Sequence, residues 1–350
     1  MEPRKLLRYQ STWTVAEVMS HLVGALSGTG PALVFGNFSA ETVPSNIAVV
    51  ISTSGSTGRA KNVAFTSGSL LASAKLSNEF LAANPGDRWS LLVPPIHAAG
   101  LNVLVRSLEL GTEPVTDPNI KVEFSAIVAT QLYRALHGDE VLLNHLRNAK
   151  AVLLGGSAID DSLLAAGKAA GINLITTYGM TETSGGCVYN GAPLPGVAIR
   201  INKTIEIKSP TLAADYLGDS SLWRQKMIDG YFISDDLGEL ENGLLKINGR
   251  IDDVIISGGK NISLSEVETQ LRANFPQVEI AAFGAPDKEW GTSLNLATVG
   301  NLNQNKINDF LHEKFGIKAM QLISLQEIPK SALGKIDRGA LMNLLSKVNK

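Results

Sequence analysis

A loop rich in hydroxyl groups and glycines is the first feature of this sequence that could do chemistry. It directly follows the apolar, β-branched stretch 47–52 and runs Thr53-Ser54-Gly55-Ser56-Thr57-Gly58-Arg59-Ala60-Lys61. Glycines allow backbone N–H groups to converge on an anion, hydroxyls add donors, and a lysine supplies positive charge. These residue types at the end of a buried strand indicate phosphate binding.

Two common nucleotide-binding loops do not fit this segment. The P-loop requires Gly-x-x-x-x-Gly-Lys-[Ser/Thr] before a helix, and the dinucleotide fingerprint requires Gly-x-Gly-x-x-Gly. Here Gly55 and Gly58 are three residues apart, and Asn62–Thr66 is predicted to be a second strand. A tight surface hairpin without function is the alternative, so other motifs have to decide.

A second motif adds an aromatic ring and a carboxylate, Tyr178-Gly179-Met180-Thr181-Glu182-Thr183. Together the two motifs resemble those of the adenylate-forming acyl-CoA synthetases, although Ala60 and Asn62 replace a usual proline and glycine in the loop. The resemblance implies that Tyr178 stacks on adenine, Thr181 contacts phosphate and Glu182 holds Mg²⁺, a hard cation that prefers carboxylate oxygens. An ordinary loop after a strand is the alternative.

Two further segments resemble the family's nucleoside site. Leu154-Gly155-Gly156-Ser157-Ala158 is similar to the segment that lines the adenine pocket. In the segment 231–238, the resemblance places Asp236 on the ribose hydroxyls, with Arg250 as its basic partner. Because Asp235 stands where the family usually has glycine, the choice between the two aspartates stays open, and the register favours Asp236. A pair of exposed turn aspartates is the alternative.

The last hundred residues resemble the family's mobile part. Gly249-Arg250-Ile251-Asp252-Asp253 is similar to the junction between domains and implies a hinge at Asp252, whereas a plain linker is the alternative. The resemblance assigns Gly258, Gly259 and Lys260 to CoA. Residues 329–338 resemble the C-terminal lysine motif, in which Lys335 would bring positive charge to the α-phosphate and the attacking carboxylate.

The substrate is indicated by a third motif, Pro94-Pro95-Ile96-His97-Ala98-Ala99-Gly100-Leu101. The family resemblance implies that His97 borders the acyl pocket and gates it. The continuation to Arg106, together with the stretch from Gly185 to Tyr189, resembles the o-succinylbenzoate:CoA ligases. Their substrate is a dicarboxylate, so Arg106 would hold the carboxylate that is not activated, and Gly185 would line the pocket. Helical phase alone favours a solvated surface arginine.

The elements that must position these residues are those of an α/β protein. Short apolar runs alternate with helices through the first two thirds, as expected for largely buried strands. A helix is predicted over Ala98–Leu110, with apolar residues at i, i+3, i+4 and i+7. The predicted strands are Ile47–Thr53, Trp89–Val93, Ala126–Thr130, Ala151–Leu154 and Ile172–Thr176.

The chain is predicted to form an adenylate-forming enzyme fold with two domains. The large N-terminal α/β domain, residues 1–251, includes a β-rich subdomain that begins after about Pro195. A small mobile α+β domain covers residues 252–350, with helices predicted over Ser265–Asn274, over Ile307–Phe315 and after Asp337.

The composition of the chain limits the kinds of partner and environment that we expect. The 350 residues carry a formal net charge of −2, which argues against a nucleic-acid-binding face. Cys187 is the only cysteine, so no intrachain disulfide can form, and we expect a reducing cytoplasm. No apolar run approaches the ~18 residues of a membrane span. The oligomeric state stays open, with a homodimer among the options.

The combined expectation is an acid–thiol ligase that uses ATP, Mg²⁺ and CoA. It would join a small carboxylate, with 2-succinylbenzoate favoured by Arg106, to CoA through an acyl-adenylate. Another aryl- or fatty-acyl-CoA ligase, a carrier-protein-loading adenylation enzyme, and a nucleotide-binding module without chemistry are the alternatives.

Overall fold

The computed structural model of the protein describes residues 2–53, 61–156, 159–300, 302–330 and 336–348. Some predicted site residues lie outside these ranges, namely Ser54, Gly55, Ser56, Thr57, Gly58, Ser157 and Lys335. The chain divides into two compact units, Met1–Ser234 with Glu239–Lys246, and Asp235–Gly238 with Ile247–Lys350. The domain boundary predicted between residues 251 and 252 stays a prediction.

The first unit contains two large sheets and the helices that cover them. Its helices are α1 (Val15–Ser27), α2 (Ser67–Phe80), α3 (Ala98–Glu109), α4 (Ala129–Leu136), α5 (Glu140–Asn148), α6 (Asp161–Ala169) and α7 (Ser220–Lys226). Its strands are β1 (Arg4–Arg8), β2 (Ala32–Phe35), β3 (Thr42–Val43), β4 (Ile47–Thr53), β5 (Lys61–Thr66), β6 (Trp89–Ser90), β7 (Phe124–Val128), β8 (Ala151–Gly155), β9 (Leu174–Met180), β10 (Gly185–Tyr189), β11 (Ala192–Pro193), β12 (Ala198–Asn202), β13 (Thr204–Lys208), β14 (Asp215–Leu217), β15 (Met227–Ile228) and β16 (Tyr231–Ile233).

Each large sheet has six strands. The first has the order β14-β5-β4-β2-β1-β3, and the second has the order β11-β10-β9-β8-β7-β6. Strands β6 to β9 are parallel, and β6, β7 and β8 are buried along almost their whole length, as expected for parallel strands, whereas β9 is buried only at Leu174. Strands β12, β13, β15 and β16 form a smaller sheet, in the region where the sequence predicts a β-rich subdomain.

Helix α3 is buried on more than one side. Leu101, Leu104 and Val105 join the core of the first sheet with α1 and α2. Val103, and also Leu110 in the position directly after the helix, belong to the core of the second sheet. The helix therefore has few positions that face water.

The predicted α/β elements agree well with the structure. Strand β4 has the predicted bounds, and α3 ends one residue before the predicted end. The strand predicted over Trp89–Val93 is shorter than expected, since β6 covers only Trp89–Ser90 ahead of Pro94. Strand β9 is longer than expected, so Tyr178 and Met180 lie in a strand rather than in a loop.

The second unit is a small α+β structure. It contains strands β19 (Val254–Ser257), β20 (Lys260–Ser263), β21 (Glu279–Asp287), β22 (Gly291–Val299) and β23 (Gln321–Ser324), and helices α8 (Leu264–Asn274), α9 (Gln304–Phe315) and α10 (Arg338–Val348). Helices α8 and α9 share one apolar core with the sheet, and α10 packs in a second. Strands β17 (Asp236–Glu241) and β18 (Leu244–Arg250) pair with each other and run through the division between the units.

No described helix is both long enough and apolar enough to cross a lipid bilayer.

Candidate active site

The two strands that flank the predicted phosphate loop form an antiparallel pair. Thr53 at the end of β4 pairs with Lys61 at the start of β5, and Thr53 Oγ1 donates to the Lys61 carbonyl at 3.4 Å. Next to them, Ser52 Oγ donates to Asn62 Oδ1 at 2.7 Å. The asparagine that replaces the family's usual glycine therefore stabilises the base of the loop.

Tyr216 joins the phosphate loop to the second motif. Glu182 lies in a 3₁₀ turn, Thr181–Thr183, directly after β9, and its Oε1 accepts a hydrogen bond from the Tyr216 hydroxyl at 2.7 Å. Lys61 Nζ lies 5.1 Å from the centroid of the same tyrosine ring. The structure thus brings Lys61 and Glu182 to one tyrosine, which no sequence motif had indicated.

Glycines allow close packing around the residues predicted to contact adenine. Gly155 ends β8, beside β9, and Gly156 follows it. A Cβ on Gly155 would lie 2.4 Å from Thr177 Oγ1, and one on Gly179 would lie 2.0 Å from the Gly185 carbonyl oxygen. These glycines are therefore required by the approach of neighbouring strands.

Tyr178 and Met180 alternate with Gly179 along β9, and both pack against the cluster around Cys187 and Ile205. The backbone N–H of Met180 donates to Thr183 Oγ1 at 2.9 Å, which ties the strand end to the turn that carries Thr181 and Glu182. Predicted adenine-contacting and phosphate-contacting residues consequently lie on one short segment.

His97 is the residue that precedes α3. Its side chain is half-buried, and its Nε2 is buried without a hydrogen-bond partner among the described residues. Burial lowers the pKa of His97, because the charged imidazolium is disfavoured in an apolar setting. Burial therefore favours the neutral form of the His97 imidazole.

Arg106 is buried, with 4% of its surface exposed, so the surface alternative does not hold. Its Nη2 donates to the Tyr189 hydroxyl at 3.1 Å, and its guanidinium carbon lies 4.9 Å from the centroid of the Trp89 ring. Its buried Nε has no partner, and no carboxylate within the described ranges forms an ion pair with it. Burial also lowers the pKa of Arg106.

Asn102 connects α3 to the turn that follows Glu182. It lies one turn before Arg106, and its Nδ2 donates to the Ser184 carbonyl at 2.6 Å and to the Ala98 carbonyl at 2.8 Å. A Cβ on Gly185 would lie 2.4 Å from this Nδ2, so the predicted pocket residue lies directly against α3. No sequence motif had singled out Asn102, although its spacing of four residues from both Ala98 and Arg106 places the three on one face of a helix.

In the second unit, the predicted ribose pair is formed. Arg250 Nη1 donates to Asp236 Oδ1 at 2.8 Å, whereas Asp235 accepts the backbone N–H of Ile251 through its own carbonyl, at 2.7 Å. Asp252 lies in the 3₁₀ turn Ile251–Asp253. The register that favours Asp236 therefore agrees with the pairing, while the ribose role stays a prediction.

The residues assigned to CoA lie at a tight turn. Gly258 and Gly259 both have positive φ angles, +56° and +78°, and they join β19 to β20, as a two-residue hairpin turn requires. A Cβ on Gly258 would lie 2.6 Å from the Trp290 ring. Lys260 Nζ donates to the Gly316 carbonyl at 3.0 Å.

Comparison with known families decides what kind of enzyme this is. The family model described as AMP-binding enzyme matches residues 28–210, which include the phosphate loop, His97, Arg106 and Glu182. The chain belongs to the AMP-binding enzymes. The residues that this family model matches all lie in the first unit.

Two curated relatives of this AMP-binding enzyme are named as 2-succinylbenzoate–CoA ligases. The chain is 35% identical over 332 residues to a Mycobacterium tuberculosis protein named "Probable 2-succinylbenzoate--CoA ligase", covering 86% of this chain and 85% of the relative. It is 34% identical over 340 residues to the 2-succinylbenzoate–CoA ligase of Lactococcus lactis, covering 87% of this chain and 73% of the relative. The predicted resemblance to o-succinylbenzoate:CoA ligases is confirmed.

Solved structures agree with these relatives. The o-succinylbenzoate CoA synthetase (MenE) from Bacillus subtilis, in complex with the acyl-adenylate intermediate OSB-AMP, matches with a TM-score of 0.76 at 25% identity, covering 96% of this chain and 82% of that one. An ATP-bound RpMatB–BxBclM chimera matches with a TM-score of 0.80 at 20% identity, covering 98% and 84%. The predicted adenylate-forming α/β fold is confirmed.

Proposed function

We propose that this AMP-binding enzyme ligates 2-succinylbenzoate to CoA. In the first step, the succinyl carboxylate attacks the α-phosphate of ATP, giving the acyl-adenylate and pyrophosphate. In the second step, the CoA thiol attacks the acyl carbon, loses its proton and displaces AMP, giving 2-succinylbenzoyl-CoA. The shared name of the relatives supports this reaction.

The observation that carries the substrate assignment is the buried guanidinium of Arg106. It lies on the helix that starts after His97, on the face that Asn102 connects to Gly185. A buried arginine without a carboxylate favours binding of an anion, and a planar guanidinium can bind a carboxylate with two parallel hydrogen bonds. The carboxylate of 2-succinylbenzoate that is not activated is our proposed anion.

The phosphates of ATP would lie near Lys61 and Glu182. Lys61 supplies positive charge, as the loop motif predicts, and Thr181 contacts phosphate. The second oxygen of Glu182, Oε2, has no hydrogen-bond partner among the described residues, so the carboxylate fits a role in holding Mg²⁺. When bound, Mg²⁺ neutralises phosphate charge. Within the described ranges no cluster of three or more His, Cys, Asp or Glu residues could hold a metal.

The remaining roles complete the reaction scheme. His97 would border the acyl pocket, where its burial favours the neutral imidazole. Asp236 and Arg250 would hold the ribose, and Gly258 to Lys260 would contact CoA. Asp252 would be the hinge that allows Lys335 to leave the site between the two steps.

A pyrophosphate-release assay over a panel of carboxylic acids tests the proposal. The panel contains 2-succinylbenzoate, benzoate and medium-chain fatty acids, each with ATP and Mg²⁺, followed by addition of CoA or of a phosphopantetheinylated carrier protein. We expect the highest kcat/KM with 2-succinylbenzoate and transfer to free CoA. Preference for a monocarboxylate would contradict the substrate, and transfer to the carrier protein alone would contradict the acceptor.

A further inference from the structure

We infer that Tyr216 is a positioning residue for adenylation, which holds Glu182 and Lys61 in place for the triphosphate of ATP. Tyr216 lies outside every motif that points to the nucleotide. The inference rests on the use of ATP in the proposed function, but it does not depend on which carboxylate is activated.

The chain around Tyr216 joins the two phosphate motifs through its backbone. The Ala213 N–H donates to the Glu182 carbonyl at 2.8 Å, and the Ala214 N–H donates to the carbonyl of Ala64 at 2.7 Å. Strand β14 then continues along β5, with Tyr216 opposite Val63. Because β5 starts at Lys61, the segment 213–217 is hydrogen-bonded through its backbone to both phosphate motifs.

The side chain of Tyr216 has little freedom to move. Its exposed fraction is 1%, and its ring packs edge-on against Trp223 with centroids 5.1 Å apart. A buried aromatic ring held in this way is a rigid support, so the hydroxyl has a defined position. The 2.7 Å hydrogen bond therefore restricts rotation of the Glu182 carboxylate.

The two contacts have different physical origins. The hydroxyl donates a charge-assisted hydrogen bond to one carboxylate oxygen of Glu182, which leaves the other oxygen directed elsewhere. The ring face attracts the Lys61 ammonium, whose Nζ lies 5.1 Å from the centroid. One residue thus orients both a negative group and a positive group that the triphosphate would meet.

Removal of the Tyr216 hydroxyl distinguishes the hydrogen bond to Glu182 from the ring contact with Lys61. Tyr216→Phe keeps the ring, its packing on Trp223 and its contact with Lys61, but removes the hydrogen bond to Glu182. We expect the Kd of Mg·ATP, measured by isothermal titration calorimetry, to rise about tenfold, which corresponds to about 1.4 kcal/mol. The Kd of AMP should stay unchanged, because AMP lacks the β- and γ-phosphates that Glu182 and Lys61 would contact in ATP.

A double-mutant cycle tests whether Tyr216 acts through Glu182. In a Glu182→Gln background, Tyr216→Phe should raise the Kd of Mg·ATP far less than it does in the wild type. An equal, additive loss in both backgrounds would overturn the inference. So would an equal loss of AMP and Mg·ATP affinity, which would mean that the site as a whole is distorted.

The control is Tyr133→Phe, which removes the hydroxyl of an exposed tyrosine on α4 and should change neither Kd. Circular-dichroism melts establish that each variant is folded. If Tyr216→Phe does not fold, the test is made with Glu182→Gln alone, which must raise the Kd of Mg·ATP without changing the Kd of AMP. The inference is overturned if Glu182→Gln does not affect the two Kd values in this way. These assays contain no carboxylic acid, so they can succeed even where the 2-succinylbenzoate assignment fails.

Discussion

The guanidinium of Arg106 carries a positive charge into the interior of the first unit, where Tyr189 and Trp89 are its described partners. Burial of a charge without a counter-charge costs free energy of folding, and such groups are retained where they bind something. At the scale of single residues, the proposed function therefore predicts that removal of this charge lowers activity but leaves the free energy of unfolding nearly unchanged or higher.

Arg106→Met tests the effects on activity and on stability, because methionine keeps an unbranched apolar stem but lacks the charge. We expect kcat/KM for 2-succinylbenzoate to fall by roughly 10- to 100-fold, the equivalent of a charge-assisted hydrogen bond of about 1.5–3 kcal/mol. The free energy of unfolding in urea should stay within about 1 kcal/mol of wild type or increase. The KM for ATP should not change.

Arg134→Ala is a suitable control, since this arginine on α4 is exposed. Both the kinetics and the urea midpoint of the control should match wild type. Unchanged kinetics of Arg106→Met with 2-succinylbenzoate would assign Arg106 a structural role only.

Cys187 is a second buried group with a measurable consequence. Burial raises the pKa of its thiol to about 12, from an ordinary value of 9.0, so almost no thiolate exists at pH 8. We expect no reaction with Ellman's reagent in the folded protein and one reacting thiol in urea. Fast labelling of the folded enzyme would contradict the burial.

The same shift predicts how stability changes with pH. Above pH 9 the unfolded chain loses the thiol proton and the folded chain does not, so the free energy of unfolding should decrease as pH rises towards 12. In Cys187→Ala, the free energy of unfolding should decrease less over this pH range than it does in the wild type.

At the scale of elements, α3 has the central place. It packs against both large sheets, and it carries Asn102 and Arg106 directly after His97. The position of its first turn is set by Gly100, where a Cβ would lie 2.2 Å from the Pro94 carbonyl oxygen. Because that contact is with backbone, no side-chain movement can relieve it.

Gly100→Ala is therefore expected to displace the start of α3 and the His97 segment. Overpacking of this kind costs about 1–3 kcal/mol in the free energy of unfolding. The kcat/KM for the carboxylate should fall more than that for ATP, since the helix lines the proposed acyl pocket. Urea denaturation and steady-state kinetics measure both effects.

Gly68→Ala provides a matched control in α2, where the nearest atom to a new Cβ is Thr66 Oγ1 at 3.8 Å. Alanine has a higher helix propensity than glycine, so this variant should be as stable as wild type or more stable, by up to ~1 kcal/mol. Equal behaviour of the two variants would show that the Pro94 contact is relieved at low cost.

At the scale of the whole molecule, the predicted machinery is divided between two compact units. Lys61, Tyr178 and Glu182 belong to the first, whereas Asp236 and Arg250 belong to the second. The predicted Lys335 lies outside the described residues, but its flanks pair through an antiparallel bridge between Lys330 and Ile336. The proposed function predicts that a rotation about Asp252 occurs between the two half-reactions.

Lys335→Ala tests the rotation through the two half-reactions. Adenylation, followed by pyrophosphate release, should fall by at least ~10²-fold, because positive charge at the α-phosphate is lost. Thioester formation from supplied acyl-adenylate and CoA should be unchanged, because Lys335 would have left the site. Lys347→Ala, at an exposed lysine on α10, is the control, and equal loss in both half-reactions would refute the rotation.

The sequence by itself determined most of the α/β elements and the resemblance to the o-succinylbenzoate:CoA ligases. Strand β4 and helix α3 were predictable because the spacing of apolar residues reflects which backbone period buries them. Motifs also identified the glycines at 155, 179 and 185, although their close contacts with neighbouring residues are visible only in the structure. Pairing of Asp236 with Arg250 was also anticipated, from the register of the ribose motif.

The tertiary structure alone decided the environments of Arg106 and Tyr216. Periodicity distinguishes one face of α3 from the other, but it cannot show that a second sheet covers the polar face. The contact of Tyr216 with Glu182 depends on pairing of β14 with β5, which are far apart in the chain. Local sequence patterns do not encode such long-range pairing, because it results from the packing of the whole first unit.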